Sequence, residues 1–278
     1  MNVLEFSGVV FAVSATAGCL GSLTGLGGGV IITPVLTLLL GVDLHFAMGA
    51  TLVSVIATSS GAAAAYVREG FSNVRVGMFL EIATTAGALT GAHLVSAVPV
   101  SALAIIFGTV LLYSAWQSMK APPRDKEPRP DPLAARLKLN GVYPGRQGMI
   151  AYGVSRVKTG FGLMFGAGLL SGLLGIGSGA MKVIAMDQVM RVPFKVSTTT
   201  SNFMIGVTAA ASAGVYLRRG YINAGLAMPV MLGVLCGSLA GARMLMGARV
   251  LVLRRLFALV IGALAVEMIY SSLTGGFR

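Results

Sequence analysis

The chain has 278 residues, of which 55% are hydrophobic and 11% are charged, and it carries a formal net charge of +12. Soluble domains carry about 25% charged residues, so this composition excludes a soluble globular protein and predicts a polytopic membrane protein. Its long apolar runs, of about 18 residues or more, are typical of membrane-spanning helices. The expected fold is therefore all-α.

In the first half, a predicted span at 4–23 leads into a glycine-rich stretch, and a short apolar arm follows at 30–40. A helix of this length rises only about 16 Å, which is too short for a hydrocarbon core of about 30 Å. The arm is therefore predicted to be re-entrant or half of a broken helix. Three more spans are predicted, at 46–67, 76–98 and 101–119.

Residues 120–158 form a polar connector that holds half of the net charge, with nine Lys and Arg against three Asp and Glu. Its prolines disfavour any long helix. An excess of Lys and Arg in a loop between spans is typical of the cytoplasmic side of a membrane protein. We therefore predict a cytoplasmic connector and no nucleic-acid partner.

The second half repeats the plan of the first. It contains a span at 161–174, a second glycine-rich stretch, a short arm at 180–190, and spans at 196–217, 224–246 and 251–270. This organisation divides the chain into a first transmembrane repeat (1–119), the connector (120–158) and a second transmembrane repeat (159–278). About eight hydrophobic segments are expected besides the two short arms.

At an offset of 150 residues and without a gap, 18–96 match 168–246 at about 18 of 79 positions. Shared apolar bias alone predicts scattered matches, whereas here a Tyr-x-Arg-x-Gly pattern recurs in register. It stands at Tyr66, Arg68 and Gly70 and again at Tyr216, Arg218 and Gly220. The pattern indicates a duplication.

The relative orientation of the two repeats depends on how each glycine-rich stretch is counted. One crossing each gives four spans per repeat and parallel repeats, whereas an in-and-out hairpin gives three true crossings and inverted repeats. Arginines flank opposite ends of equivalent spans in the two halves, with Arg68 and Arg75 in the first and Arg249 in the second. A swapped charge bias favours inverted repeats.

Each half has a Gly-aliphatic-Gly-small-Gly pattern, at 25–29 and at 175–179. Glycine weakens a helix by about 1 kcal/mol per residue relative to alanine, so both segments are predicted to break. Interrupted apolar segments at matching positions of two halves indicate a transporter's binding site. A half-helix that begins after such a break presents free N–H groups, which suit an anion.

The predicted substrate-binding residues lie at these breaks and in the hydroxyl-rich spans that follow them. Thr51 and Ser201 occupy equivalent positions and are predicted to be paired lining groups. Lys182 follows the second break, where its ammonium group is suited to an anionic head group; the alternative is snorkelling to the interface. The full set is Thr24, Gly27, Gly28, Gly29, Thr51, Ser54, Gly177, Ser178, Gly179, Lys182, Thr198, Thr200, Ser201 and Asn202.

Other ionisable residues in apolar segments are secondary candidates. Glu81 and Glu267 are candidates for proton coupling or for a buried ion pair. His93 is expected to anchor its helix at the interface. No catalytic or metal-binding set is legible, because His45 and His93 lack Cys or carboxylate partners at ligand spacing, and we expect neither an enzyme nor a cofactor.

The segment GLGGGVIITPVL, followed by a hydroxyl-rich span ending YVREG, resembles the TauE/SafE sulfite exporter family. The second copy, from GIGSGAMKVIAM to GVYLRRG, resembles the second repeat of that family. The resemblance covers nearly the whole chain except the connector. It implies a membrane permease for sulfur-containing anions such as sulfite and organosulfonates, with Gly27–Gly29, Gly177–Gly179, Thr51 and Ser201 at the repeat motifs.

The predicted function is therefore secondary transport of a small sulfur-containing anion across the cytoplasmic membrane. An anion channel is one alternative, and a membrane sensor or assembly factor with the connector as docking surface is another. The expected partners are the anion and the lipid bilayer. Coupling to protons or sodium ions and assembly into a homo-oligomer stay open at this point.

Overall fold

The computed structural model describes residues 2–24, 29–68, 72–119, 131–145, 148–245 and 250–274. Its helices in the first half are α1 (Val3–Thr24), α2 (Gly29–Leu40), α3 (Leu44–Arg68), α4 (Val74–Leu94) and α5 (Val100–Met119). The connector contributes α6 (Pro132–Arg136), β1 (Gly141–Gly145) and β2 (Gly148–Tyr152). The second half contains α7 (Val157–Leu174), α8 (Gly179–Ile184), a π-helical turn (Ala185–Val189), α9 (Phe194–Arg218), α10 (Ala224–Leu245) and α11 (Val250–Leu273).

These bounds confirm the all-α fold of the membrane-spanning part and place each helix close to its predicted span. Two ends differ. Helix α4 ends at Leu94 and is followed by turns at 95–97; Val98 itself precedes Pro99, and a residue before proline is disfavoured in the helical region. Helix α7 begins at Val157, four residues before its predicted span, where the Asp131 carboxylate accepts a hydrogen bond from the Val157 N–H.

The outer surface of the long helices is apolar. On α11, Leu259, Val266, Tyr270 and Leu273 lie on one face and are 59–73% exposed. A contiguous apolar surface of this kind indicates contact with lipid. Among the described residues, α7 is the one helix that is by itself long and apolar enough to cross a membrane, and six further apolar helical stretches of 10–17 residues accompany it.

Helices α4 and α7 pack through glycines that bring the two backbones into direct contact. A Cβ atom added at Gly168 or Gly172 of α7 would lie 2.0–2.1 Å from the carbonyl oxygen of Thr84 or Ala88 in α4. Small residues at four-residue spacing permit this approach in membrane helix pairs. From the first contact to the second, the residue number rises by four in both helices, so α4 and α7 run parallel.

Helices α1 and α10 pack in the same way, at positions offset by 150 residues. An added Cβ at Gly18 would lie 2.6 Å from the carbonyl oxygen of Val234. At an offset of 150 residues, Gly18 corresponds to Gly168 and Val234 to Thr84, and these two residues make the α4–α7 contact. Helix α1 thus contacts α10 much as α7 contacts α4.

Helices α3 and α9 pack on each other and run antiparallel, because Met48 near the start of α3 meets Tyr216 near the end of α9. Helices α5 and α11 are also antiparallel, since the hydroxyl of Ser272 donates to the carbonyl of Ser101 over 2.8 Å. These two pairs, like α1–α10 and α4–α7, join the two halves of the chain.

The connector is partly folded onto the helices. Strands β1 and β2 form an antiparallel hairpin, and Ala134, Leu139 and Val154 are buried in an apolar cluster with residues of α4, α7 and α9. Asn73, which caps α4, donates from its side chain to the Tyr152 hydroxyl and to the Leu139 carbonyl. The described part of the connector thus has no long helix, as its prolines predicted, but it packs against the starts of α4, α7 and α9.

Candidate functional site

The second glycine break separates α7 from α8. Gly175 and Gly177 have φ angles of +66° and +73°, and Ser178 has a φ angle of +44°. Only glycine adopts this left-handed conformation without steric cost. Ser178 is a strained exception, of the kind that concentrates at functional sites.

The break is packed against α3 and α9, so it lies between the two halves. A Cβ added at Gly177 would lie 2.8 Å from Ile205 of α9 and 3.2 Å from Val55 of α3. Val55 also lies beside Gly29, where an added Cβ would be 2.6 Å from one of its methyl groups. One valine of α3 therefore contacts the start of the short arm in the first half and the break in the second.

Hydroxyl groups tie each short arm to the long helix that follows it. The Thr33 and Thr51 hydroxyl oxygens are 2.8 Å apart and join α2 to α3. The Ser201 hydroxyl donates to the Gly179 carbonyl over 3.1 Å and joins α9 to α8. All of these hydroxyl groups are buried.

Two further hydroxyls at the second break are buried and have no hydrogen-bond partner among the described residues. They belong to Ser171, in the last turn of α7, and to Ser178. An unsatisfied buried hydroxyl costs about 1–3 kcal/mol. The break therefore keeps two polar groups available for a ligand or a water molecule.

Lys182 of α8 is fully buried and belongs to a polar network that joins the two halves. Its ammonium group donates to the Thr208 hydroxyl in α9. That hydroxyl lies 2.6 Å from Oε1 of Glu81 in α4, and Oε2 of Glu81 lies 4.0 Å from the Lys182 nitrogen. The Thr85 hydroxyl also donates to Oε1 of Glu81.

The alternative considered for Lys182, snorkelling to the interface, is therefore wrong, because its side chain is completely enclosed. The ammonium group cannot be desolvated without a counter-charge, and Glu81 supplies it. Glu267, the second carboxylate considered for a buried ion pair, is exposed on α11.

A cavity of about 440 Å³ opens between α4 and α9, on the side of the molecule opposite the connector. It is lined by Leu89 and His93 of α4 and by Ala211, Gly214, Val215, Arg218 and Arg219 at the end of α9. One terminal guanidinium nitrogen of Arg219 donates to the His93 carbonyl over 2.8 Å, while the other is buried without a partner among the described residues. The cavity thus carries positive charge at its mouth.

Comparison with known proteins identifies the chain. The sequence model of the family described as "Sulfite exporter TauE/SafE" matches residues 10–268. The chain belongs to the TauE/SafE sulfite exporter family. It is therefore a membrane transporter protein.

Two bacterial relatives of this TauE/SafE protein have names that agree with the family. The "Probable membrane transporter protein YunE" of Bacillus subtilis (strain 168) is 26% identical over 278 residues, which cover 95% of this chain and 98% of the relative. The "Probable membrane transporter protein YdhB" of the same strain is 26% identical over 220 residues, or 79% of this chain and 82% of the relative. No solved structure has a significant match to the chain.

In the structure of the TauE/SafE protein, the candidate residues Gly177, Lys182 and Thr200 contact residues of the other half of the chain. Ser54 donates to the carbonyl of Thr51 in its own helix. The Thr200 hydroxyl accepts from the Asn73 N–H and so supports the start of α4. Asn202 and Thr198 are half-buried, and the Thr198 hydroxyl donates to the carbonyl of Phe194 in its own helix.

Three predicted residues lie wholly or partly outside the described part of the chain. Gly27 and Gly28 lie outside the described residues, and the same holds for the side chain of Thr24. The first glycine break is therefore described only from Gly29 onward.

Sequence reasoning missed Thr208 and the pairing of Lys182 with Glu81. Thr208 lies seven residues after Ser201, which puts both on one face of α9, so the helical period could have found it. No local pattern predicts the pairing itself, because α4 and α8 are about 100 residues apart in the sequence.

Proposed function

We propose that this TauE/SafE protein is a secondary transporter that moves a small sulfur-containing anion, such as sulfite or an organosulfonate, across the cytoplasmic membrane. Family membership and the names of both relatives support membrane transport. The anion as substrate is supported by a buried cation, buried hydroxyls and a cation-lined cavity. No enzymatic reaction is proposed.

We further propose that the two halves are inverted repeats related by a two-fold axis in the membrane plane. Equivalent helices that pack on each other across such an axis must run antiparallel, whereas an axis along the membrane normal makes them parallel. The antiparallel α3–α9 and α5–α11 pairs support the first arrangement. Helix α1 corresponds to α7 and α4 corresponds to α10, so the α1–α10 and α4–α7 pairs correspond to each other. This correspondence supports a two-fold axis of either orientation.

This topology is tested by labelling single cysteines with a membrane-impermeant thiol reagent. Asp43 and Pro193 precede the equivalent helices α3 and α9. In a protein otherwise free of cysteine, inverted repeats predict that Asp43→Cys and Pro193→Cys are labelled from opposite sides of the membrane. Labelling of both from one side would support parallel repeats instead.

In the proposed site, the anion binds at the second glycine break, between α3, α8 and α9. The unpartnered hydroxyls of Ser171 and Ser178 and the ammonium group of Lys182 would replace part of its hydration shell. Neutral donors bind more weakly than a cluster of cations, which suits a site that must also release its substrate. Ser201 and Thr51 would hold the short arms in place around the anion.

The single observation that carries this proposal is the complete burial of Lys182 at a junction of both halves, because an ionisable group at that depth marks a substrate or ion pathway. The test is thermal stabilisation of the purified protein by sulfite, sulfate, thiosulfate, sulfoacetate, taurine and chloride. We expect stabilisation by one or two sulfur anions and its loss in Lys182→Met and Ser178→Ala.

Counterflow in proteoliposomes then separates a transporter from a channel. A transporter loaded with unlabelled anion accumulates labelled anion transiently, with a rate that saturates. Stabilisation without counterflow or saturation would favour an anion channel. Stabilisation that survives both substitutions would leave the transporter but exclude this site.

A further inference from the structure

The buried charges of the site are unevenly satisfied. Oε1 of Glu81 accepts hydrogen bonds from Thr85 and Thr208, whereas Oε2 is buried and has no hydrogen-bond partner among the described residues. The group nearest to that oxygen with an opposite charge is the Lys182 ammonium, 4.0 Å away. Oε2 is therefore held by charge attraction alone and is free to bind a proton.

The cavity between α4 and α9 begins one turn of α4 beyond this network, since Leu89 lines it and Thr85 belongs to the network. Glu81, Thr85, Leu89 and His93 follow one another at four-residue spacing, which puts them on one face of α4. The last two line the cavity, and the first two belong to the network. Twelve residues of helix rise about 18 Å, so the pair lies about half a membrane thickness below the cavity mouth.

The mouth of the cavity carries two arginines at the end of the bundle where cations are not expected. The connector and the arginines beside the starts of α4 and α7 lie at one end of the bundle, and that end is expected to face the cytoplasm. Arg218 and Arg219 lie at the other end, where the positive-inside rule disfavours cations. Both line the cavity, and a cationic funnel raises the local concentration of an anion.

We propose that the transported anion and the Glu81 carboxylate compete for the Lys182 ammonium group, so that each anion bound through the α4–α9 cavity is accompanied by one proton taken up on Oε2 of Glu81. The protein is then a proton–anion symporter. This inference rests on the proposed function and adds the coupling ion to it.

The competition follows from the cost of burying charge. In the absence of substrate, the Lys182 cation and the Glu81 anion compensate each other inside the membrane. A second anion beside the same ammonium group would leave a net negative charge at that depth, which costs several kcal/mol. A proton from solvent that binds to Oε2 of Glu81 restores neutrality, and Lys182 is then free to hold the substrate.

The other charged groups on the packed elements are placed less favourably for this role. His93, Arg218 and Arg219 line the outer cavity and stay at its mouth. The remaining ones lie at helix ends or on the π-helical turn, where they are exposed or half-buried; these are Arg75 on α4, Lys158 on α7, Asp187 and Lys195. His93 is the one imidazole among these groups, so His93→Asn belongs in the test.

The first measurement uses the wild-type protein in detergent, in a weakly buffered solution with a pH indicator dye. The probe is methanesulfonate, a monovalent sulfonate whose charge is constant in the working range, because sulfite itself takes up a proton there. We expect about one proton to be taken up per anion bound. On the alkaline side, the Kd is expected to rise about tenfold per pH unit, as linkage of one proton requires.

The variants assign the proton to Glu81. Glu81→Gln should bind the anion without proton uptake and with a Kd independent of pH, and it should exchange anions in proteoliposomes without responding to a pH gradient. The Glu81→Gln/Lys182→Met double variant, which carries no buried charge in the network, should bind no anion. His93→Asn should keep the proton uptake of the wild type.

A matched pair of hydroxyl deletions tests the bridge. Thr208→Val removes the hydroxyl that bridges the Lys182 ammonium group and the Glu81 carboxylate, so the pH midpoint of anion binding should change. The Thr208 hydroxyl also bonds the carbonyl four residues back in its helix, and so does the hydroxyl of Thr109 on the exposed face of α5. Thr109→Val should leave that midpoint unchanged.

The failure of this inference differs from the failure of the proposed function. Wild-type protein that binds and transports the anion without proton uptake, or that depends on sodium ions instead, would overturn the symport and leave the transporter intact. Persistent proton coupling in Glu81→Gln would move the proton to another group and also overturn it. Absence of binding and transport of every sulfur anion at about pH 6 and pH 8 would overturn the proposed function itself.

Discussion

Replacement of Gly172 by alanine tests the packing between the two halves. A Cβ at this position of α7 would lie 2.0 Å from the Ala88 carbonyl oxygen and 2.8 Å from the Ala92 nitrogen of α4. Both are backbone atoms and cannot rotate away, so the helices must separate by on the order of 1 Å. A gap of that size forfeits a quarter to a half of each dispersion contact along the seam, and overpacking costs about 1–3 kcal/mol.

Gly166 provides a matched control on the same helix. An added Cβ there would meet nothing within 4 Å. Alanine is favoured over glycine in a helix by about 1 kcal/mol, and that gain is common to both variants. The difference in the free energy of unfolding between Gly172→Ala and Gly166→Ala is therefore the cost of the steric clash, about 1–3 kcal/mol.

The assay is thermal unfolding of the purified variants in one detergent. For a chain of this size, 1 kcal/mol corresponds to about 2–4 °C in Tm. We expect Gly166→Ala to match or exceed the wild type and Gly172→Ala to unfold several degrees below Gly166→Ala. Equal Tm values for the two variants would refute the direct contact between the α4 and α7 backbones.

Three further predictions concern the connector and the break. Tyr152→Phe removes the hydroxyl that accepts from the Asn73 side chain over 2.7 Å; its unfolding free energy should fall by about 0.5–1.5 kcal/mol, measured by thermal unfolding, and Asn73→Ala should lose more. Hydrogen bonds, chiefly from the Val157 N–H, lower the pKa of Asp131. The stability advantage of the wild type over Asp131→Asn should therefore be complete at neutral pH and shrink as the pH falls below about 4, as thermal scans at both pH values will show. Gly177→Ala puts a Cβ on a residue with a φ of +73°, 2.8 Å from a side-chain methyl group. The rate of counterflow should fall strongly, whereas Tm should fall by only a few degrees. Normal counterflow would contradict a role for the break.

The helix boundaries were predictable because each long apolar run is bounded by glycine, proline or charge. The second break was predictable for the same reason, since two glycines there adopt left-handed conformations that other residues resist. The hairpin of the connector was missed: β1 contains Pro144, and proline reduces the strand signal except at an edge. A two-stranded hairpin has only edges, so proline is tolerated there.

The partners of the buried charges were not predictable from sequence. Lys182 was a candidate because a cation within an apolar segment is costly, and Glu81 was a candidate on the same ground. Their proximity depends on how α4 packs against α8 and α9, and the position of α4 is set in turn by glycine contacts between 84–92 of α4 and 165–173 of α7. Periodicity identifies the face of a helix but not the helix that will cover it.

The network also breaks the proposed repeat symmetry in an informative way. At an offset of 150 residues, Lys182 corresponds to Ile32, Glu81 to Met231 and Thr208 to Thr58. Ile32 is fully buried, and the Thr58 hydroxyl donates to the Ser54 carbonyl of its own helix. At the offset positions, both charged residues of the network are therefore replaced by apolar residues, whereas the threonine is present in both halves.

One charged network between two proposed repeats predicts the stoichiometry of transport. Two equivalent sites would bind two anions per chain, and two buried ion pairs would double the cost of desolvation. With a single ammonium group between the halves, titration of the purified protein with thiosulfate should give one site per chain and no cooperativity within a chain. A stoichiometry of two would show that the apolar counterpart around Ile32 also binds substrate, and Lys182 would then lose its assigned role as the group that holds the anion.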